Sequence, residues 1–285
     1  MNDRGPEMVT RDSARCAIYR DAPEWNHRRT AAIGQFACAS AAEGVALLDD
    51  VAAKLAREGF EAVIGPLDGD TWHAYRVVAE SDLSPPFLLE PISGPHDLAA
   101  FRGAGFAAIS SYVSARAKLE DAIVAPAPAV PGVIVSAWDG RDADALIGAL
   151  FDLSGSAFAG NAFYKPIGRE AFIALYAPIL PAIDPRLVLF AHLDQRLVGF
   201  LFAIPDRLQG ARPSTAIIKT YASGLRGVGH MLADAAHRAF RDLGYSEVIH
   251  ALMHVDNRSN ERSARHSGTV FRRYDLMGRA LGTRP

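Results

Sequence analysis

Three glycines crowd six positions of this chain: Gly224, Gly227 and Gly229. They follow an apolar, β-rich run from Ala216 to Ala222. They precede Val228, Met231, Leu232, Ala235, Ala239 and Leu243, an apolar stripe at helical spacing. Glycines at a strand-to-helix turn let backbone amides face one point. The helix start adds free N–H groups and the positive end of its dipole, a combination that holds a phosphate or diphosphate. Arg226 lies in the turn, and Arg258, Arg262 and Arg265 lie on a helical stretch downstream. They suit a ligand with several phosphate charges, and equally a solvated helix face. A second group of capable residues lies far upstream: Asp70, Trp72, His73, Tyr75, Arg76 and Glu90. Polar and aromatic groups on loops often line a site. In the plainer arrangement, Trp72 and Tyr75 cover a core edge and Arg76 pairs with Glu90.

Other chemistries find little support. His250 and His254 are four apart, but the segment from Ile249 to Val255 reads as a strand, which separates them by roughly 13 Å. With no CxxC or HExxH, no metal site is expected. No G-x-S-x-G nucleophile elbow is present. The 285 residues, 49% hydrophobic, are enough for one large domain or two ordinary ones. A net charge of −2 gives no bulk attraction to nucleic acid or membrane. Cys16 and Cys38 make no disulfide framework. No apolar run is long enough to span a membrane, and no signal peptide opens the chain, so a soluble cytoplasmic protein is expected.

Periodicity and turn residues give the elements that position these groups. The first fifteen residues are polar and expected to be loose. Cys16 to Tyr19 and Thr30 to Ala39 read as strands. Ala41 to Glu58 reads as a helix with Leu48, Val51, Ala52 and Leu55 inward. Gly59-Phe60 ends it, and Ala62 to Ile64 is a short buried strand. Gly65 to Trp72 is a loop, and Pro85 to Pro91 is expected to be extended. Gly105-Phe106 opens a strand through Ile109 and Tyr112. Ala125 to Gly132 alternates Ala and Pro, which stays extended and reads as a linker. Beyond it, Val133 to Val135 is a strand, and about 141–153 and 169–180 are helices. Leu187 to His192 and Leu197 to Ile204 pair as a hairpin. Glu247 to Val255 is the strand after the glycine-led helix.

An internal repeat emerges. Gly44 to Ile64 lies on Gly229 to Ile249 without a gap, with Leu47 on Leu232, Asp49 on Asp234 and Gly59-Phe60 on Gly244-Tyr245. Gly105-Phe106 corresponds to Gly268-Thr269. The pattern implies two related α/β lobes, 1–124 and 133–285, joined by the linker 125–132. The first has Ala41-Ala42-Glu43-Gly44 where the second has Arg226-Gly227-Val228-Gly229. Glu43 would repel a diphosphate, so the ligand is expected in the second lobe alone.

The order of strand, G-x-G turn, helix, strand, Asn257, helix and Gly268 resembles the GNAT superfamily of acyl-CoA-dependent N-acyltransferases, in its tandem two-lobed form. Gly227-Val228-Gly229 fits that family's diphosphate loop, and Leu232 fits the apolar residue after it. The chain departs at three places. Gly224 fills the Gln/Arg position, Ala264 stands where many members have a tyrosine acid, and Thr269 stands where an aromatic usually follows the glycine. The resemblance implies an α/β fold with a mixed sheet, and acetyl-CoA or another acyl-CoA as co-substrate. The acyl group would pass directly to a small-molecule amine acceptor. The resemblance would put the cofactor on Tyr221, Ala222, Ser223, Arg226, Gly227, Val228, Gly229, His230 and Asn257. Asp70, Trp72, Tyr75 and Arg76 are candidates for holding the acceptor. A thiol with a pKa of roughly 8.5 leaves readily, whereas an alkylammonium of about 10 must be deprotonated. A base is therefore the greater need. Glu90, delivered by the Pro86–Pro91 stretch, is the first candidate. His192 and Tyr221 follow, and Tyr274 is a residual acid or a core tyrosine. A CoA-binding sensor without turnover is the alternative, favoured by Ala264. Neither the oligomeric state nor the acceptor is legible.

Overall fold

The computed structural model describes residues 5–126, 128–178 and 183–282. Strands β1 (Glu7–Arg11), β2 (Ala14–Tyr19) and β3 (Thr30–Ala37) form an antiparallel meander. Helix α1 (Ala41–Arg57) follows, and β4 (Ala62–Gly65) returns parallel to β3. Next come β5 (Val77–Ser81), α2 (Asp97–Gly103), β6 (Ala107–Lys118) and α3 (Leu119–Ala122). The second half holds β7 (Val133–Ala137), α4 (Ala143–Phe158), α5 (Arg169–Tyr176) and the hairpin β8 (Val188–Leu193) and β9 (Arg196–Pro205). β10 (Thr215–Ser223), α6 (Val228–Asp242) and β11 (Glu247–His254) repeat the strand–helix–parallel-strand unit. Helix α7 (Arg258–Arg265) and β12 (Thr269–Ala280) follow.

The repeat survives in its closing hydrogen bonds. Gly59 after α1 and Gly244 after α6 take φ of +82° and +90°, the left-handed region that glycine enters freely. The next residue then bonds back into the helix: Phe60 N–H to the Leu55 carbonyl and Tyr245 N–H to the Phe240 carbonyl, both at 3.0 Å. The three largest of five apolar clusters among the described residues fill most of the interior. One lies under α1 and α2, one under α6, and one under α4 and α5.

The described strands form one mixed sheet in the order β1-β2-β3-β4-β12-β6-β11-β10-β9-β8-β7, with β5 paired to β12. The final strands of the two halves are exchanged. β12 lies between β4 and β6, and β6 pairs with β11. Among the described residues no helix is long and apolar enough to cross a membrane.

Several local expectations need correction. Glu7–Arg11 is a strand rather than a loose end, because it pairs with β2 across a turn at Asp12, whose φ is +51°. The segment 85–91 is not extended throughout. Glu90 N–H closes a turn on the Phe87 carbonyl at 3.1 Å, with Leu89 at φ +62°. Helix α5 ends at Tyr176, short of 180; Ile179 and Leu180 lie outside the described residues. The linker 125–132 has neither helix nor strand among its described residues, Ala127 lying outside them. On α6 the buried face includes Asp234, His237 and Phe240, whereas Met231, Ala235 and Ala239 are only partly buried.

Candidate active site between two parting strands

β10 and β11 pair over four residues each, Thr215–Ile218 against Glu247–His250, and then separate. Both strands are irregular where they part. β10 shifts register against β9 between Ile218 and Thr220, and β11 shifts against β6 between His250 and Met253. A cavity of about 840 Å³ opens there, walled by Lys219 to Tyr221 of β10 and Ala251 to His254 of β11. Past the last pair, the facing edges of the two strands have backbone groups that the ladder does not satisfy.

The glycine turn lies at the end of β10. Gly227 has φ +91°, which reserves the position for glycine. It caps α6 without any side-chain bond, leaving the helix start to its backbone amides. A Cβ on Gly229 would stand 2.9 Å from the Arg262 guanidinium carbon. Arg262 thus reaches from α7 to the α6 start, passes 5.4 Å from the Tyr221 ring centre, and enters the cavity wall. Arg226, Arg258 and Arg265 are exposed. Asn257 lines the cavity and makes no side-chain cap to α7. Tyr221 also lines it. Ala222, Ser223, Val228 and His230 belong to the strand end and helix start, outside the cavity wall. The equivalent start of α1 differs. Ser40 accepts from Glu43 N–H at 3.3 Å, the Glu43 carboxylate accepts from Ser13, and a Cβ on Gly44 would come within 2.6 Å of Ala100.

The opposite wall comes from the first half. Trp72 lines the cavity, donates from Nε1 to the Lys165 carbonyl at 2.8 Å and meets Phe172 edge-on at 5.5 Å. Tyr75 packs edge-on to Tyr112 at 5.8 Å. Arg76 lies between these two rings, its guanidinium 3.8 and 3.7 Å from their centres. It does not pair with Glu90. Burial lowers its pKa to about 10, against the pull of Tyr112 and Tyr274. Asp70 is outside the wall. Its carboxylate accepts from Trp72 N–H at 2.8 Å and pairs with His73 at 2.8 Å, which closes the loop.

Of the acid–base candidates, Glu90 reaches the cavity, but both its oxygens are engaged. One accepts from Arg272 at 2.6 Å and from Phe87 N–H at 3.1 Å, the other from Tyr274. It is a buried ion-pair partner rather than a free base. Tyr274 is fully buried and absent from the wall, and it donates its proton to Glu90. Burial, reinforced by Glu90, pushes its pKa far up, which removes it as an acid. His192 lies on β8, separated from β10 by β9, and is not brought to the cavity.

Lys219, at the β10 irregularity, is a residue that the sequence candidates lacked. Its Nζ donates to the Leu89 carbonyl at 3.0 Å, and burial lowers its pKa to about 8, with Arg76 pushing the same way and Glu90 opposing. One signal was present: a lone charge inside the apolar run of Ala216 to Ala222. Tyr112 and the buried histidines His237, His250 and His266 also line the cavity. They carry no local pattern that marks them.

No family model matches the chain, and no curated protein matches it. Solved structures do. A tandem GNAT protein from the clavulanic acid biosynthesis pathway, solved without AcCoA, aligns with a TM-score of 0.54 at 17% identity, over 95% of this chain and 79% of its own. A GCN5-related N-acetyltransferase from Sphaerobacter thermophilus aligns with a TM-score of 0.55 at 15% identity, over 96% and 78%. A probable N-acyltransferase of unknown function from Enterococcus faecalis gives 0.55 at 10% identity, over 94% and 59%. The chain has the fold of GNAT acetyltransferases, and the likeness to a tandem member extends over most of its length.

Proposed function

We propose that the protein is an acyl-CoA-dependent N-acyltransferase with a single cofactor site in its second lobe, 133–285, the first lobe being 1–124. One observation carries this reading. β10 and β11 part over a cavity lined by Tyr221, Asn257 and Arg262, and Arg262 also reaches the glycine-led start of α6. The diphosphate would sit on the amides at Val228 and Gly229, and the pantetheine arm would run along β10 past Tyr221 to Asn257. The thioester would then face the loop from Trp72 to Arg76, where the amine enters. Backbone N–H groups on the free edge of β10 would steady the tetrahedral oxyanion. Lys219, with a pKa near 8, is the candidate base in place of Glu90. Ser40, Ser13 and Glu43 occupy the start of α1, which supports one cofactor per chain rather than two.

Ala264 is exposed and has no proton to give, and this favours a CoA-binding sensor as the second reading. Thiol release from acetyl-CoA across a panel of amines separates the two. The enzyme reading expects release that depends on the amine. Tight CoA binding with no release on any amine would establish the sensor.

A further inference from the structure

Arg76 presents a charge that the protein leaves uncompensated. Its side chain is buried, with the residue 7% exposed, and Nε and Nη1 have no hydrogen-bond partner. Among the described residues no carboxylate lies within ion-pair distance of it. Glu90, its partner in the plainer of the two sequence readings, is taken by Arg272. Burying a charge without a partner is costly, and contact with aromatic rings offsets only part of that cost. The guanidinium lies 3.8 and 3.7 Å from the centres of the mutually perpendicular rings of Tyr75 and Tyr112, and those rings leave its N–H donors to bind. An unpartnered N–H of a guanidinium matches a carboxylate oxygen, with which it makes a charge-assisted hydrogen bond. The backbone agrees. Arg76 holds φ +82°, a conformation that a non-glycine residue keeps only where its surroundings fix it. Lys219 adds a second positive charge to the same cavity.

We propose that Arg76 receives a carboxylate of the substrate, so that the reaction in this cavity involves an acid-bearing molecule. The inference rests on the acyltransferase reading and names its substrate class. The carboxylate belongs either to the acceptor, as in an amino acid, or to the acyl group, as in a dicarboxylic acyl-CoA. Either source puts the negative charge on Arg76.

Calorimetry distinguishes the sources. One arm compares α-amino acids with their carboxamides in the presence of CoA. The other compares succinyl-CoA with butyryl-CoA. In one arm the carboxylate form should bind about tenfold tighter or more, the value of one charged hydrogen bond. Arg76→Met should abolish that preference while acetyl-CoA affinity is kept, and Arg76→Lys should retain part of it. Equal affinity for charged and neutral forms in both arms of the wild-type protein, with acetyl-CoA still binding, would overturn the inference and leave the acyltransferase reading intact. A carboxylate preference without any acetyl-CoA binding would do the reverse. Should Arg76→Met fail to fold, the wild-type comparison still decides.

Discussion

At Gly229 one hydrogen atom separates the α6 backbone from Arg262, since a Cβ there would approach the guanidinium to 2.9 Å. Gly229→Val would therefore drive Arg262 off the helix start and cover the amides. The obstacle is the end of a flexible side chain, so the fold should persist. Affinity for acetyl-CoA should fall by about tenfold or more, the loss of one charged contact. Calorimetry beside a thermal melt checks both statements; unchanged affinity would remove the turn from the cofactor site. The glycines were legible because their residue type is itself the signal. The partner of Glu90 was not. Arg272 lies 182 residues further on, and an ion pair across that distance leaves no trace in spacing. Arg76 stands out in sequence for its chemistry, but its place against Tyr75 and Tyr112, away from Glu90, leaves no local signal.

Helix α6 shows why an element's existence is easier to read than its inward face. Its length and its glycine ends follow from period and turn chemistry, and the structure keeps them. The apolar stripe read from sequence includes Met231, Ala235 and Ala239, which are only partly buried. The structure instead buries Asp234 and His237, because polar partners from other elements meet them. His237 Nε2 and His250 Nε2 are 2.9 Å apart, and His250 Nδ1 is 2.6 Å from Ser263. His266 lies 4.3 Å from His237, ring centre to ring centre, and 3.4 Å from Asp234. Burial first, and then the neighbouring imidazoles, lower His237 to about 2 and His250 to about 3. Unfolded, both take a proton near 6.5, so below that pH the unfolded chain binds more protons than the folded one. Stability contributed by the two neutral rings is complete above pH 6.5 and drains as pH falls toward 3. Each ring contributes at most about 1.4 kcal/mol per pH unit, so unfolding free energy should drop by roughly 2–3 kcal/mol between pH 6 and pH 5. Urea titrations at those two pH values measure it. Equal values would show that the histidines are protonated in the folded protein.

Across the whole molecule, the repeat was legible because helix, glycine, aromatic and strand form a local signature that occurs twice. The exchange of final strands was not, since β6 and β12 carry the same pattern and either could close either half. Exchange makes the halves interdependent: without the first half, β12 lacks β4, β5 and β6, and β11 loses its pairing to β6. Residues 133–285 expressed alone should show no cooperative melt, whereas the intact protein cut within 125–132 should still elute as one particle by size exclusion. A cooperative transition in the isolated fragment would contradict this. The asymmetry between the starts of α1 and α6 is also a property of the whole chain, and it bears on the central claim of one acyl-CoA site made by two unequal lobes. Calorimetric titration with acetyl-CoA tests that claim most directly. Saturation at one acetyl-CoA per chain is the result expected. Saturation at two, or no binding at all, would contradict it.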